Sequence, residues 1–216
     1  GTFEGRPHEN LRMVGRMFPL RTGIVTVADE GATSIHDLKK LKGKRITSEY
    51  TSLTIIEVFM KGALANAGMT YDDFKPVPVS GFAKGMFALG EGKTDISWIS
   101  LGSGAGRKVH TQLRGRGGFV YLDMDPSPEA NARFKEHMPA AKITKPTHIV
   151  EIDYVLFTHK DMDAETVYKV TKALAQNKED LAKSMGAFNR LKPETFAEPD
   201  MAPYHPGALK AIKELG

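Results

Sequence analysis

Residues Ser34 to Tyr71 read SIHDLKKLKGKRITSEYTSLTIIEVFMKGALANAGMTY, and three different periodicities meet within them at loop lengths that suit an α/β crossover. Ser34 is placed to cap a short helix with Ile35, Leu38 and Leu41 on one face, which stops at Gly43, where positive φ costs nothing. Arg45-Ile46-Thr47-Ser48 reads as a strand, and Tyr50 to Thr54 leads into a second helix that runs to about Ala67 and ends at Gly68. The hydroxyls of the stretch therefore gather at a helix start, where unpaired N–H groups and the positive end of the dipole favour an anion. Tyr50, Thr51, Ser52 and Thr54 are candidate ligand contacts on that ground. Thr54 has a competing reading, because Thr54 and Glu57 match the Ser/Thr-x-x-Glu capping box, which would give its hydroxyl to the helix.

The pattern continues on both sides. Residues 11–18 and 23–28 alternate as two strands separated by Pro19. After the second helix come strand 75–79, helix 81–90, strand 95–101, helix 105–114 and strand 118–123, an alternation that predicts an α/β fold with a mostly parallel sheet and helices on its faces. Asp125-Pro126-Ser127-Pro128 opens a helix to about His137, and Pro139 and Pro146 mark a loop before strand 149–158. One long helix, 164–185, is expected behind the cap Asp163, with Val167, Val170, Leu174 and Leu181 as its core stripe. Residues Gly1 to Asn10 show no periodicity and read as a loop.

Composition narrows the function classes. With 216 residues, 41% of them hydrophobic and 26% charged, the chain can bury the core of one large or two small domains. The net charge of +4 is spread among interleaved acids and bases, and the densest basic stretch, Arg107 to Arg116, has no aromatic residues among its cations, which argues against nucleic acid. The absence of cysteine excludes disulfides and thiolate chemistry. No apolar run approaches the ~18 residues of a membrane span. No secretory leader stands at the first residues.

A second candidate site follows the strand Asp95 to Leu101, which runs into Gly102-Ser103-Gly104-Ala105-Gly106. A strand, a glycine-rich turn and a helix start aim backbone N–H groups at an anion, so Ser100, Gly102 and Ser103 join the ligand-binding set; small residues there also suit close helix–strand packing. The spacing fails both the Walker pattern and the dinucleotide fingerprint. Trp98, the single tryptophan, is either core or a ligand platform at the strand end. Ser103, His110 and Asp95 supply the residue types of a hydrolase, but Ser103 is not flanked as Gly-x-Ser-x-Gly and lies on one helix with His110. No His-x-x-x-His pair supports a metal, and His205 between Tyr204 and Pro206 reads as a structural hydrogen bond. Arg12, Arg16, Arg21 and Arg45 are each able to form a bidentate pair with a carboxylate.

Asp37-Leu38, Lys42-Gly43-Lys44-Arg45-Ile46, the hydroxyl-rich helix start and Ala67-Gly68-Met69 together resemble the corresponding segment of periplasmic solute-binding proteins. Pro203-Tyr204-His205-Pro206-Gly207-Ala208, followed by Glu214-Leu215-Gly216, narrows the resemblance to the TAXI family, the receptor subunits of tripartite ATP-independent periplasmic (TRAP) transporters. Thr51 and Leu53 stand where that family has glycines, and Ala211 and Ile212 where it has aromatics. The resemblance implies a periplasmic-binding-protein type II-like fold of two lobes with a ligand cleft between them. It assigns residues 22–150 to one lobe, and 1–21 with 151–216 to the other. It also implies a further N-terminal portion carrying a glycine-rich ligand loop, so that this sequence corresponds to roughly the last two-thirds of such a receptor. The implied function is that of a periplasmic, monomeric receptor without catalytic activity or cofactor. It would capture a small organic anion, an amino acid or other carboxylate, and deliver it to TRAP membrane subunits. Two alternatives stay open: the effector-sensing domain of a transcription regulator, which has a similar bilobed fold, and an α/β hydrolytic enzyme.

Overall fold

The computed structural model describes residues 8–144, 149–198 and 201–215. The strands and α-helices follow in the order β1 (Leu11–Val27), β2 (Arg45–Ser48), α1 (Ile55–Asn66), β3 (Lys75–Pro78), α2 (Phe82–Gly90), β4 (Ile96–Ser100), α3 (Gly104–Gln112), β5 (Phe119–Tyr121), α4 (Pro128–His137), β6 (Lys142–Ile143), β7 (Val150–His159), α5 (Ala164–Gln176), α6 (Lys178–Ser184) and α7 (Pro206–Leu215). The described strands form one seven-stranded sheet in the order β3-β2-β4-β1-β7-β6, with β5 also paired to β1. The chain divides into two compact units, residues 21–152 and residues 1–20 with 153–216. β1 and β7 each run from one unit into the other.

In the unit 21–152, β3, β2 and β4 are parallel, as crossover helices require, whereas β1 pairs antiparallel with both β4 and β5. The expected parallel sheet therefore holds for three strands and becomes mixed at β1. Ser34 caps a 3₁₀ turn, Ile35–Leu41, by accepting from His36 N–H, while the Asp37 carboxylate takes the Ser34 N–H; Gly43 then turns at φ 76°. Side chains alternate along β4. Ser97 donates to the Gly85 carbonyl of α2 at 3.0 Å and Ile99 packs with Met86, Leu89 and Val109 on that face. Ile96 and Trp98 fill the opposite face, under α1. Both faces of the parallel strands are thus covered by helices, the arrangement that lets a short strand be apolar throughout.

In the other unit, Met17, Phe18, Leu191 and Phe196 form one apolar cluster, and Val14, Val167 and Ala208 another. The Pro203–Ala208 motif reads here as packing chemistry. His205 is 2% exposed, its Nδ1 accepts from the Gly207 N–H and its Nε2 lies 3.0 Å from the Met162 carbonyl. Pro206 opens α7, and a Cβ on Gly207 would collide with the Ala164 carbonyl where α7 crosses α5.

Several local expectations change. Pro19 does not divide the segment into separate strands, because proline's fixed φ lies within the extended region and removes only a donor; β1 runs through it. The long helix is two, α5 and α6, broken at Asn177, whose side-chain amide donates to the Ala173 carbonyl at 2.8 Å and whose backbone (φ −113°, ψ 30°) leaves the helical region. Val170, expected in the core stripe, is 42% exposed. The short strand β6 falls in the stretch read as a loop. The loop expected at the start of the chain lies, for residues 1–7, outside the described residues, as does Pro146.

Candidate functional site

Because β2, β3 and β4 are parallel neighbours, the loops that leave their C-terminal ends emerge along one edge of the sheet. That edge is where open α/β sheets present backbone N–H groups to ligands. Loop 49–54 leaves β2, Ser80 and Gly81 follow β3, and residues 101–103 leave β4. The first two loops are tied together: Ser52 N–H donates to the Ser80 carbonyl at 3.1 Å and the Thr51 hydroxyl to the same oxygen at 3.2 Å. The third is tied to β1, with Leu101 N–H on the Arg21 carbonyl at 2.9 Å and the Ser100 hydroxyl 3.4 Å from that of Thr22.

The predicted residues separate into three groups. Thr51, Ser52 and Thr54 are exposed on the first loop, beside the exposed apolar side chains Leu53 and Ile55. Ser100, Gly102 and Ser103 are on the third, where Gly102 supplies φ 77° and Leu101 is exposed. Tyr50 and Trp98 are neither. The Tyr50 phenol donates to the Thr47 hydroxyl at 2.6 Å, and burial pushes it up to about 12. Trp98 is fully buried and stacks on Phe59 with ring centroids 5.4 Å apart. Both are core residues: Tyr50 packs against Gly85 of α2, and Trp98 lies on the face of β4 that α1 covers.

The capping assignments are reversed relative to expectation. Thr54 has a helical backbone and its side chain makes no capping bond, so the capping box with Glu57 does not form. Glu57 turns back instead and accepts the N–H of Glu49 at 2.9 Å. Ser103, expected to face a ligand, has extended backbone and accepts the Gly106 N–H at 3.0 Å, the N-cap of α3.

A groove of about 560 Å³ opens beside the third loop, between α3 and β5. Its lining includes the polar side chains of Ser100, Ser103, Arg107 and His110 and the apolar or aromatic ones of Leu101, Phe119 and Tyr121. Arg107 donates to the Gly102 carbonyl at 2.9 Å. His110 Nδ1 accepts the Phe119 N–H at 3.3 Å, which leaves the proton of the neutral ring on Nε2. Burial raises the Tyr121 phenol well above the usual tyrosine range. The groove takes in Ser100, Gly102 and Ser103 but not residues 50–54, which lie at the neighbouring strand end. Sequence reading passed over Arg107, Phe119 and Tyr121 because the basic stretch holds no aromatic residue; the rings come from the next strand.

The four candidate arginines are distinguished by their partners. Arg45 sits at the opposite end of β2 and grips Asp95 at 2.7 and 3.0 Å. Burial raises the Asp95 carboxyl, but the guanidinium and the Arg45 N–H outweigh it and hold the group below the usual carboxylate range. Arg16 pairs with Asp153 and Glu198, and Arg12 donates to the carbonyls of Glu9 and Leu11. Arg21 alone of the four adjoins the third loop, 45% exposed and held through Nε by Glu151 at 2.8 Å. Asp95 is likewise removed from Ser103 and His110, so the three hydrolase residue types do not assemble. Among the described residues, no group of three His, Cys, Asp or Glu is placed to hold a metal ion. No helix among them is long and apolar enough to cross a membrane.

The model of the NMT1-like family matches residues 1–216. The chain belongs to the NMT1-like family. No curated protein matches it. Among solved structures, this NMT1-like chain is similar to a protein described as a periplasmic transporter, at 14% identity and a TM-score of 0.54, over 97% of this chain and 65% of that one. It is also similar to PhnD1 of Prochlorococcus marinus in complex with methylphosphonate (16% identity, TM-score 0.53, covering 96% and 70%). A third similarity is to an R. palustris protein with adipate (11% identity, TM-score 0.52, covering 97% and 65%). The fold is α/β of the periplasmic binding protein type II-like kind. The chain spans about two-thirds of the length of these three proteins.

Proposed function

We propose that this NMT1-like chain is the larger portion of a periplasmic solute-binding receptor that captures a small organic anion and passes it to the membrane subunits of a transporter, without altering the solute. The two compact units are read as contributions to the receptor's two lobes. The observation that carries the proposal is the shared edge: two helix starts follow neighbouring parallel strands, with exposed hydroxyls at Thr51, Ser52 and Thr54 on one and Ser100, Ser103, Arg21 and Arg107 around the other. N–H groups and guanidinium forks recognise carboxylate and phosphonate oxygens alike. The solved relatives holding adipate and methylphosphonate make those two anions the first to test. The apolar side chains Leu53, Ile55 and Leu101 along the edge favour an anion with a hydrocarbon body, such as a dicarboxylate. The TRAP class of transporter is read from the Pro203–Ala208 motif. A receptor role is preferred to a hydrolase because Ser103 serves as a helix cap and Asp95 is engaged by Arg45.

The test is a thermal-shift screen of mono- and dicarboxylates, amino acids and phosphonates, with the products checked by mass spectrometry. A ligand at a hundred times its dissociation constant stabilises by about 2.7 kcal/mol and should be recovered unchanged. Turnover of any member, or no shift with all of them while the chain is folded, would count against the proposal. Copurification with TRAP-type rather than ABC-type membrane subunits tests the transporter class.

A further inference from the structure

Among the described residues, Glu49 is the one non-glycine residue with positive φ, at 50°. A side chain in that region costs roughly 1–2 kcal/mol, so something must hold it there. Its own side chain is exposed. Its N–H is held by Glu57 Oε2 at 2.9 Å, eight residues ahead on the first turn of α1. The same oxygen lies 3.2 Å from the Tyr71 hydroxyl, which is also 3.2 Å from the Thr47 carbonyl on β2. Burial, with the Glu57 charge adding to it, keeps the Tyr71 phenol well above the usual tyrosine range, so it remains a donor. Lys61 approaches the other carboxylate oxygen at 3.8 Å, one turn along the helix. The carboxylate is thus braced on three sides, and it faces away from the capping position that its sequence spacing suggests.

We infer that Glu57 is a positioning residue for the binding loop: its carboxylate fixes Glu49 in the left-handed conformation and so sets residues 50–54 against Ser80. The inference rests on the reading that this loop meets the solute. The helical backbone of Thr54 and the turned-back Glu57 each remove one half of the capping box, and α1 starts without a side-chain cap. In that first turn the N–H groups of Ile56 and Glu57 are held by backbone carbonyls instead, those of Leu53 and Thr54, at 3.1 Å each.

Amide hydrogen exchange on the whole chain tests this without any ligand, so the absence of anion binding would overturn the reading of the site and leave this inference to its own result. Glu57→Ala should speed exchange of the Glu49 and Ser52 amides about tenfold or more, the equivalent of a lost hydrogen bond to a charged group. Glu57→Gln keeps an acceptor and should change Ser52 by less than about threefold. In a Glu49→Gly background, where positive φ is free, Glu57→Ala should also move Ser52 by less than about threefold. Amides deeper in α1, at Phe59 and Met60, should stay as they are in every variant. If Glu57→Ala leaves Ser52 unchanged, or if Ser52 accelerates equally with and without glycine at position 49, Glu57 does not position the loop.

Discussion

Removing the hydroxyl of Ser103 should destabilise the protein, and removing that of Thr54 should not. Ser103 Oγ accepts the Gly106 N–H at 3.0 Å from an extended backbone (φ −69°, ψ 144°), the geometry of an N-cap. Truncation of such a cap costs about 1 kcal/mol, within about 0.5–2. For a chain of 216 residues this lowers the thermal midpoint by about 2–4 °C per kcal/mol. Thr54 makes no capping bond and is exposed, so Thr54→Ala should shift the midpoint by less than about 1 °C, with alanine's better helix propensity acting in its favour. Ser103→Asp separates the cap from the ligand. Aspartate caps as well as serine, so the midpoint should hold, but its charge at the start of α3 should weaken an anion bound there by about tenfold or more. Differential scanning calorimetry with and without adipate reads both effects. A midpoint that falls by several degrees in Thr54→Ala and stays put in Ser103→Ala would refute the capping assignment and restore the one suggested by sequence spacing.

Three further outcomes are expected. Trp98 is the only tryptophan and is fully buried, so its fluorescence should be blue-shifted in the folded protein and Trp98→Ala should cost about 3–5 kcal/mol in denaturant unfolding, whereas a surface platform would lose far less. Gly207→Ala should destabilise by more than about 2 kcal/mol because its methyl meets the Ala164 carbonyl across the α5–α7 crossing; a neutral result in chemical denaturation would mean that the two helices separate easily. Asp95 has its pKa lowered in the folded state, so its stabilising contribution is present above the unfolded value of about 3.9 and is lost as pH falls through the folded one. Asp95→Asn should therefore lower stability at pH 7 and flatten its decline below about pH 4, measured by urea titration across that range.

Local chemistry determined much of this protein without tertiary help. The alternation from Ser34 to Tyr71 and on to Tyr121 follows from side-chain periodicity and from glycines such as Gly43, and the elements formed near their predicted places because each buries a face that its own pattern defines. The role of His205 was legible too, since a histidine with no nearby nucleophile has only backbone partners to find. What tertiary structure decided was direction and competition. Strand periodicity is the same in parallel and antiparallel ladders, so only assembly revealed that β1 runs against β4. Glu57 matched a local cap, yet an N–H eight residues back, on a backbone bent to positive φ, was the acceptor's better-placed donor. Tyr50 and Trp98 belong to the core because neighbouring strands and helices close over them, and Phe119 and Tyr121 belong to the groove because β5 returns beside α3. A hydroxyl or ring in sequence carries no record of which long-range neighbour will reach it first, and that contest assigns each side chain to core, cap or site.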